Sequence, residues 1–130
     1  MTRTPILQGN PSSGIFSLAA DKSGHLIALG GDYKEPDNFE HAAANSPDGG
    51  KTWQLAARQP GGFRSALARV DDGRWVAVGP TGEDITTDNG VHWKHTDSWS
   101  LNAVAILDIW SGWAVGDHGR IARFVVRHNH

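Results

Sequence analysis

Ser46-Pro47-Asp48-Gly49-Gly50-Lys51-Thr52-Trp53 and Thr86-Thr87-Asp88-Asn89-Gly90-Val91-His92-Trp93 lie 40 residues apart and align without a gap as Ser/Thr-x-Asp-x-Gly-x-x-Trp. An octapeptide that recurs at such a spacing marks a repeat architecture. Its surroundings recur as well. Apolar runs end in glycine at Leu26-Ile27-Ala28-Leu29-Gly30, at Trp75-Val76-Ala77-Val78-Gly79 and at Gly112-Trp113-Ala114-Val115-Gly116, and another run precedes each, at 15–19, 63–68 and 101–107. The order is run, turn, run to glycine, loop, short strand, Asp turn, Trp strand. It occurs twice in full, and a third copy stops at residues 120–126. Short runs rich in Val, Ile, Leu and Trp between turn residues read as strands, and four strands per period of about 40 residues describe a propeller blade.

A helical reading fails because, with 16 glycines and 6 prolines, few segments run ten residues without one of them. Ala42-Ala43-Ala44 is the one helix-friendly stretch, and it is too short to nucleate alone. The expected fold is therefore all-β, with three four-stranded antiparallel blades at about 14–57, 62–97 and 101–127, residues 4–8 serving as a closing strand for the third.

The octapeptide resembles the Asp-box of bacterial neuraminidase (BNR) repeats. Together with Gly112-Trp113-Ala114-Val115-Gly116-Asp117-His118-Gly119-Arg120-Ile121 it is similar to the propellers of photosystem II stability and assembly factors and their bacterial relatives. The resemblance spans roughly residues 14 to 126 and implies a blade hairpin at each Asp turn. It implies little about function, since Asp-boxes decorate enzymes and scaffolds alike.

Composition removes several functions. Twelve basic against fourteen acidic residues give a net charge of −2, which offers no electrostatic case for nucleic acid or an anionic membrane. Without cysteine there is no disulfide, thiol chemistry or cysteine-bound zinc. No apolar run approaches the roughly 20 residues of a spanning helix, and Met1-Thr2-Arg3-Thr4-Pro5 does not read as a signal peptide. No cofactor is expected. No catalytic metal is expected either: His92 and His95 point to opposite faces of a strand, and His128 and His130 sit near the end of the chain. Sialidase chemistry is unsupported, because Tyr33 is the single tyrosine and the eight arginines form no recognisable triad.

In each Asp turn, Asp48 or Asp88 is expected to accept backbone N–H groups, with Ser46 or Thr86 opening the turn. Gly50 and Gly90 supply a positive φ, while Trp53 and Trp93 fold over the hairpin. If the first strand of each blade lines the channel, the loops after the glycine-ending strands share one mouth. Asp32, Arg64, Glu83, Asp117 and His118 are then the candidate ligand-binding residues, and the 32–41 loop is the longest. Closed propellers carry about four to eight blades, so a three-blade arc would expose apolar faces. A homodimer forming a six-bladed ring is expected, with the N-terminal strand exchanged between chains. The favoured function is a non-enzymatic binding or scaffold propeller. The alternatives are a hydrolase using Asp32, Glu83, Asp117 and His118, and a structural fragment of a larger propeller.

Overall fold

In the computed structural model, the first copy of the repeat forms β1 (Ser13–Ala20), β2 (Leu26–Asp32), β3 (Ala43–Ser46) and β4 (Gln54–Leu55). The second forms β5 (Ala66–Asp71), β6 (Arg74–Gly79), β7 (Gly82–Thr86) and β8 (Trp93–Asp97), and the third β9 (Leu101–Asp108), β10 (Ser111–Gly116) and β11 (Ile121–Val125). The structure describes residues 4–6, 9, 12–97, 100–108, 111–116, 119 and 121–125. Each copy is one antiparallel sheet in simple chain order, with four, four and three strands among the described residues.

One expectation is corrected. The run at 63–68 was expected to be an inner strand, but β5 begins only at Ala66, and Phe63 and Arg64 belong to the link that enters the second sheet. Residues 4–6 form no strand. Within this chain Ile6 is buried against Ala28 and Ala44 of the first sheet. Residues 7 and 8 of the expected closing strand lie outside the described residues.

Alternation along the second strands decides how the sheets stack. Ile27 and Leu29 of β2 point forward onto Trp75, Ala77 and Trp93 of the second sheet. Val76 and Val78 of β6 repeat the move, packing on Leu101 and Ala114 of the third. In both interfaces bulky residues of one second strand thus meet alanine of the next, joined by tryptophan in the first interface and by leucine in the second.

The glycine that ends each run has a packing reason. A Cβ at Gly30 would lie 1.9 Å from the Gly14 carbonyl oxygen, at Gly79 2.4 Å from that of Phe63, and at Gly116 2.1 Å from that of Ser100. In all three sheets the second strand passes against the backbone that enters the innermost strand, and no side chain fits there. Ala43 and Ala44 of the alanine stretch open β3. The Gln59 side chain clamps its start, Oε1 accepting from the Ala42 and Ala43 N–H groups at 3.0 and 2.8 Å while Nε2 donates to the Ala43 and Ala56 carbonyls.

Candidate functional site

The two Asp turns share a hydrogen-bond plan. Asp48 accepts from the Thr52 N–H at 2.9 Å and from the Thr52 hydroxyl at 2.6 Å, and Ser46 Oγ donates to it at 2.8 Å while accepting from the Gly50 N–H. Asp88 accepts from the His92 N–H at 2.9 Å and lies 2.7 Å from the His92 ring, with Thr86 Oγ1 in the place of Ser46. Gly50 and Gly90 hold φ of 90° and 85°. These bonds favour the ionised carboxyls. The Thr52 hydroxyl and N–H bring Asp48 down to about 2. Burial pushes Asp88 up, but the His92 and Thr86 hydrogen bonds outweigh it and leave it below the usual carboxylate range.

The turns differ at their tryptophans. Trp53 Nε1 donates to the Gly50 carbonyl at 3.1 Å. In the second turn Asn45 Nδ2 of the preceding sheet takes the Gly90 carbonyl, and Trp93 Nε1 is the one buried side-chain donor without a partner among the described residues. Trp93 is fully buried between two sheets, whereas Trp53 is half-buried and covered in part by Ile6.

The opposite end of the sheets is where the mouth is expected. Asp32 is buried at the end of β2 and accepts from the Lys34 N–H at 2.9 Å. Arg64 and Glu83 do not join it. The Arg64 side chain is fully buried in the gap between the first and second sheets, its Nε 2.6 Å from Asp84 Oδ2 and its Nη1 bonded to Thr81 Oγ1. Asp84 also accepts from the Gly61 N–H, and the His95 ring lies 3.4 Å from it. Glu83 faces the outer edge, accepting from Thr96 Oγ1. Because β7 alternates, Asp84 points into the gap and Glu83 to the other side. Asp117 and His118 lie outside the described residues, as do His128 and His130. His92 stays with the Asp turn while His95 lies at the mouth end, and no group of three His, Asp or Glu residues is arranged to hold a metal among the described residues.

What the sequence reading missed is an aromatic trio. Phe16 packs edge-on against Phe63 with ring centroids 4.9 Å apart, and Tyr33 lies 5.9 Å from Phe16 and 6.5 Å from Phe63. Phe63 is buried, whereas Phe16 and Tyr33 are each about half-exposed at 45% and 48%. The register of β1 on β2 slips between Ile15 and Ser17, so Phe16 is the extra residue of a bulge. Bulges re-aim side chains in this way, and none is visible in an alternating sequence pattern. The 33–42 loop is tied down over this end: the Pro36 carbonyl accepts from the Phe63 N–H at 3.0 Å and from Thr81 Oγ1 at 3.2 Å. Beside it, Phe39, Arg58, Pro60, Trp93 and His95 line an open cleft of about 470 Å³ at the rim of the first two sheets.

A solved structure described as YCF48 bound to D1 peptide superposes with a TM-score of 0.63 at 20% identity. The match covers 92% of this chain and 41% of that one, so this chain spans less than half the length of the protein it matches. The fold is that of a β-propeller. No family model and no curated protein sequence matches the chain. Among the described residues no helix is long and apolar enough to cross a membrane.

Proposed function

We propose that the chain is a non-enzymatic binding propeller of the Asp-box kind, self-assembling into a ring, whose mouth end takes an extended protein segment. The observation that carries this reading is the trio Phe16, Tyr33 and Phe63: two half-exposed rings backed by a buried third. Aromatic rings that are exposed but held in place suit recognition, since little side-chain freedom is lost on binding. The Asp-box kinship is supported by the shared Ser/Thr, Asp and Gly hydrogen bonds of the two turns. The peptide named with YCF48 lends the ligand class. A hydrolase draws less support, because Glu83 is turned to the outer edge and Arg64 is spent on a buried ion pair.

Selection from a displayed library of random twelve-residue peptides tests the reading. Enriched peptides should carry an aromatic or aliphatic anchor, and Phe16→Ser or Tyr33→Ser should weaken them on the order of tenfold or more, as loss of an interface anchor does. Alanine at Asp32, Asp117 or His118 should weaken binding less and leave the assembly intact. If those substitutions leave binding untouched while Asp88→Ala removes it, the ligand binds the opposite face. Turnover by the wild-type chain on a panel of ester and peptide substrates, with or without chelator, would instead make it an enzyme.

A further inference from the structure

The stacking rule of the two interior interfaces runs on to faces that this chain leaves open. Aligned on their final glycines, Trp113 and Val115 of β10 stand where Ile27 and Leu29 stand in β2 and where Val76 and Val78 stand in β6. The earlier pairs are covered by the next sheet. Trp113 and Val115 are 44% and 41% exposed, and Ile121, opposite Val115 on β11, is 66% exposed. At the other end, Ala28 stands where Ala77 and Ala114 stand and Trp53 where Trp93 stands; Ala28 is buried under Ile6, and Trp53 is only half-buried. Leu18, opposite Ala28 on β1, is 59% exposed.

The first interior interface sets bulky forward residues against alanine and tryptophan, and the second sets them against alanine and leucine; the end faces offer Trp113, Val115 and Ile121 on one side and the exposed Leu18 and half-buried Trp53 on the other, with Ala28 buried beneath Ile6. The chain therefore carries both halves of a contact it already makes twice within itself.

We propose that the forward face of the third sheet packs on the backward face of the first sheet of a second copy, head to tail, so that two chains close a ring about a twofold axis. This rests on the self-assembling propeller reading and names the surfaces that perform it. Ile6 fits the same arrangement. It already lies on the backward face of the first sheet, beside where the partner's β11 would arrive with an edge that carries no fourth strand among the described residues. The N-terminal segment is thereby placed to extend the partner's third sheet. Leaving such apolar faces bare would invite less specific association.

Light scattering on the purified chain, combined with charge substitutions, tests the proposal. The wild-type mass should be twice the 14.0 kDa of one chain. Trp113→Glu and Leu18→Glu should each bring it down to that of one chain while leaving the far-ultraviolet circular dichroism unchanged. Mixing the two variants should restore a dimer, since one intact forward face then meets one intact backward face. A monomeric wild type would overturn self-assembly altogether. A dimer that survives both substitutions, or that is broken by Trp113→Glu alone, would keep self-assembly and overturn the head-to-tail faces. Should Trp113→Glu fail to fold, Ile121→Lys on the same face serves in its place.

Discussion

Asp48 and Arg64 show how a single polar residue can serve the fold in opposite surroundings. Asp48 lies at the surface of its turn, and its hydrogen bonds place its folded pKa at about 2, below the ordinary 3.8. A depressed carboxyl pKa contributes stability that is complete above the unfolded value and disappears as pH falls through the folded one. Between about pH 4 and pH 2 the wild type should therefore lose stability relative to Asp48→Asn, and their melting temperatures should converge. A gap that stays constant from about pH 5 to about pH 2 would show that the charge of Asp48 does not matter to the turn. Arg64 is the buried case. Removing its guanidinium strands the Asp84 carboxylate in the gap between sheets, so Arg64→Leu should cost on the order of 3–5 kcal/mol in urea unfolding. The double variant Arg64→Leu, Asp84→Leu should recover much of that loss, since no charge is then left unpaired. A single variant within about 1 kcal/mol of wild type would mean that water reaches Asp84. The sequence showed Arg64 as a charged residue near a glycine-rich loop. It could not show the ion pair, because Asp84 and Glu83 are adjacent and only strand alternation decides which one enters the gap.

At the scale of the strand and the turn, most of the architecture was legible. The octapeptide located both hairpins because its Ser or Thr, Asp, Gly and Trp each meet a backbone or packing requirement of the turn. The glycine-ending runs located all three second strands because a carbonyl at or just before the start of the innermost strand occupies the space a Cβ would need. The start of β5 was misplaced by three residues because Phe63 is apolar for a different reason: it backs Phe16 at the mouth instead of filling a sheet face. Equal motifs also do not have equal energetics. Trp93→Ala should cost roughly 3–5 kcal/mol, the range for a fully buried aromatic, and Trp53→Ala distinctly less, because its ring is only partly buried. Equal losses in paired thermal melts would mean that Trp53 is as fully covered in solution as Trp93.

For the molecule as a whole, periodicity revealed how many sheets the chain holds and in what order. The mouth was less readable. Its aromatic trio draws on a bulge in β1, the loop after β2 and the link into β5, three segments that no local pattern brings together. The indole N–H of Trp93, which meets no acceptor among the described residues, has a consequence of an optical kind. An indole enclosed by hydrocarbon and bonded to no acceptor relaxes little after excitation, so its emission lies toward shorter wavelengths than that of an indole in water. Trp93 sits at the seam between the first two sheets, where the Asn45 amide donates to the Gly90 carbonyl, the counterpart of the Gly50 carbonyl that Trp53 bonds. The protein thus carries its own fluorophore at that seam, one whose colour reports whether the first two blades are together.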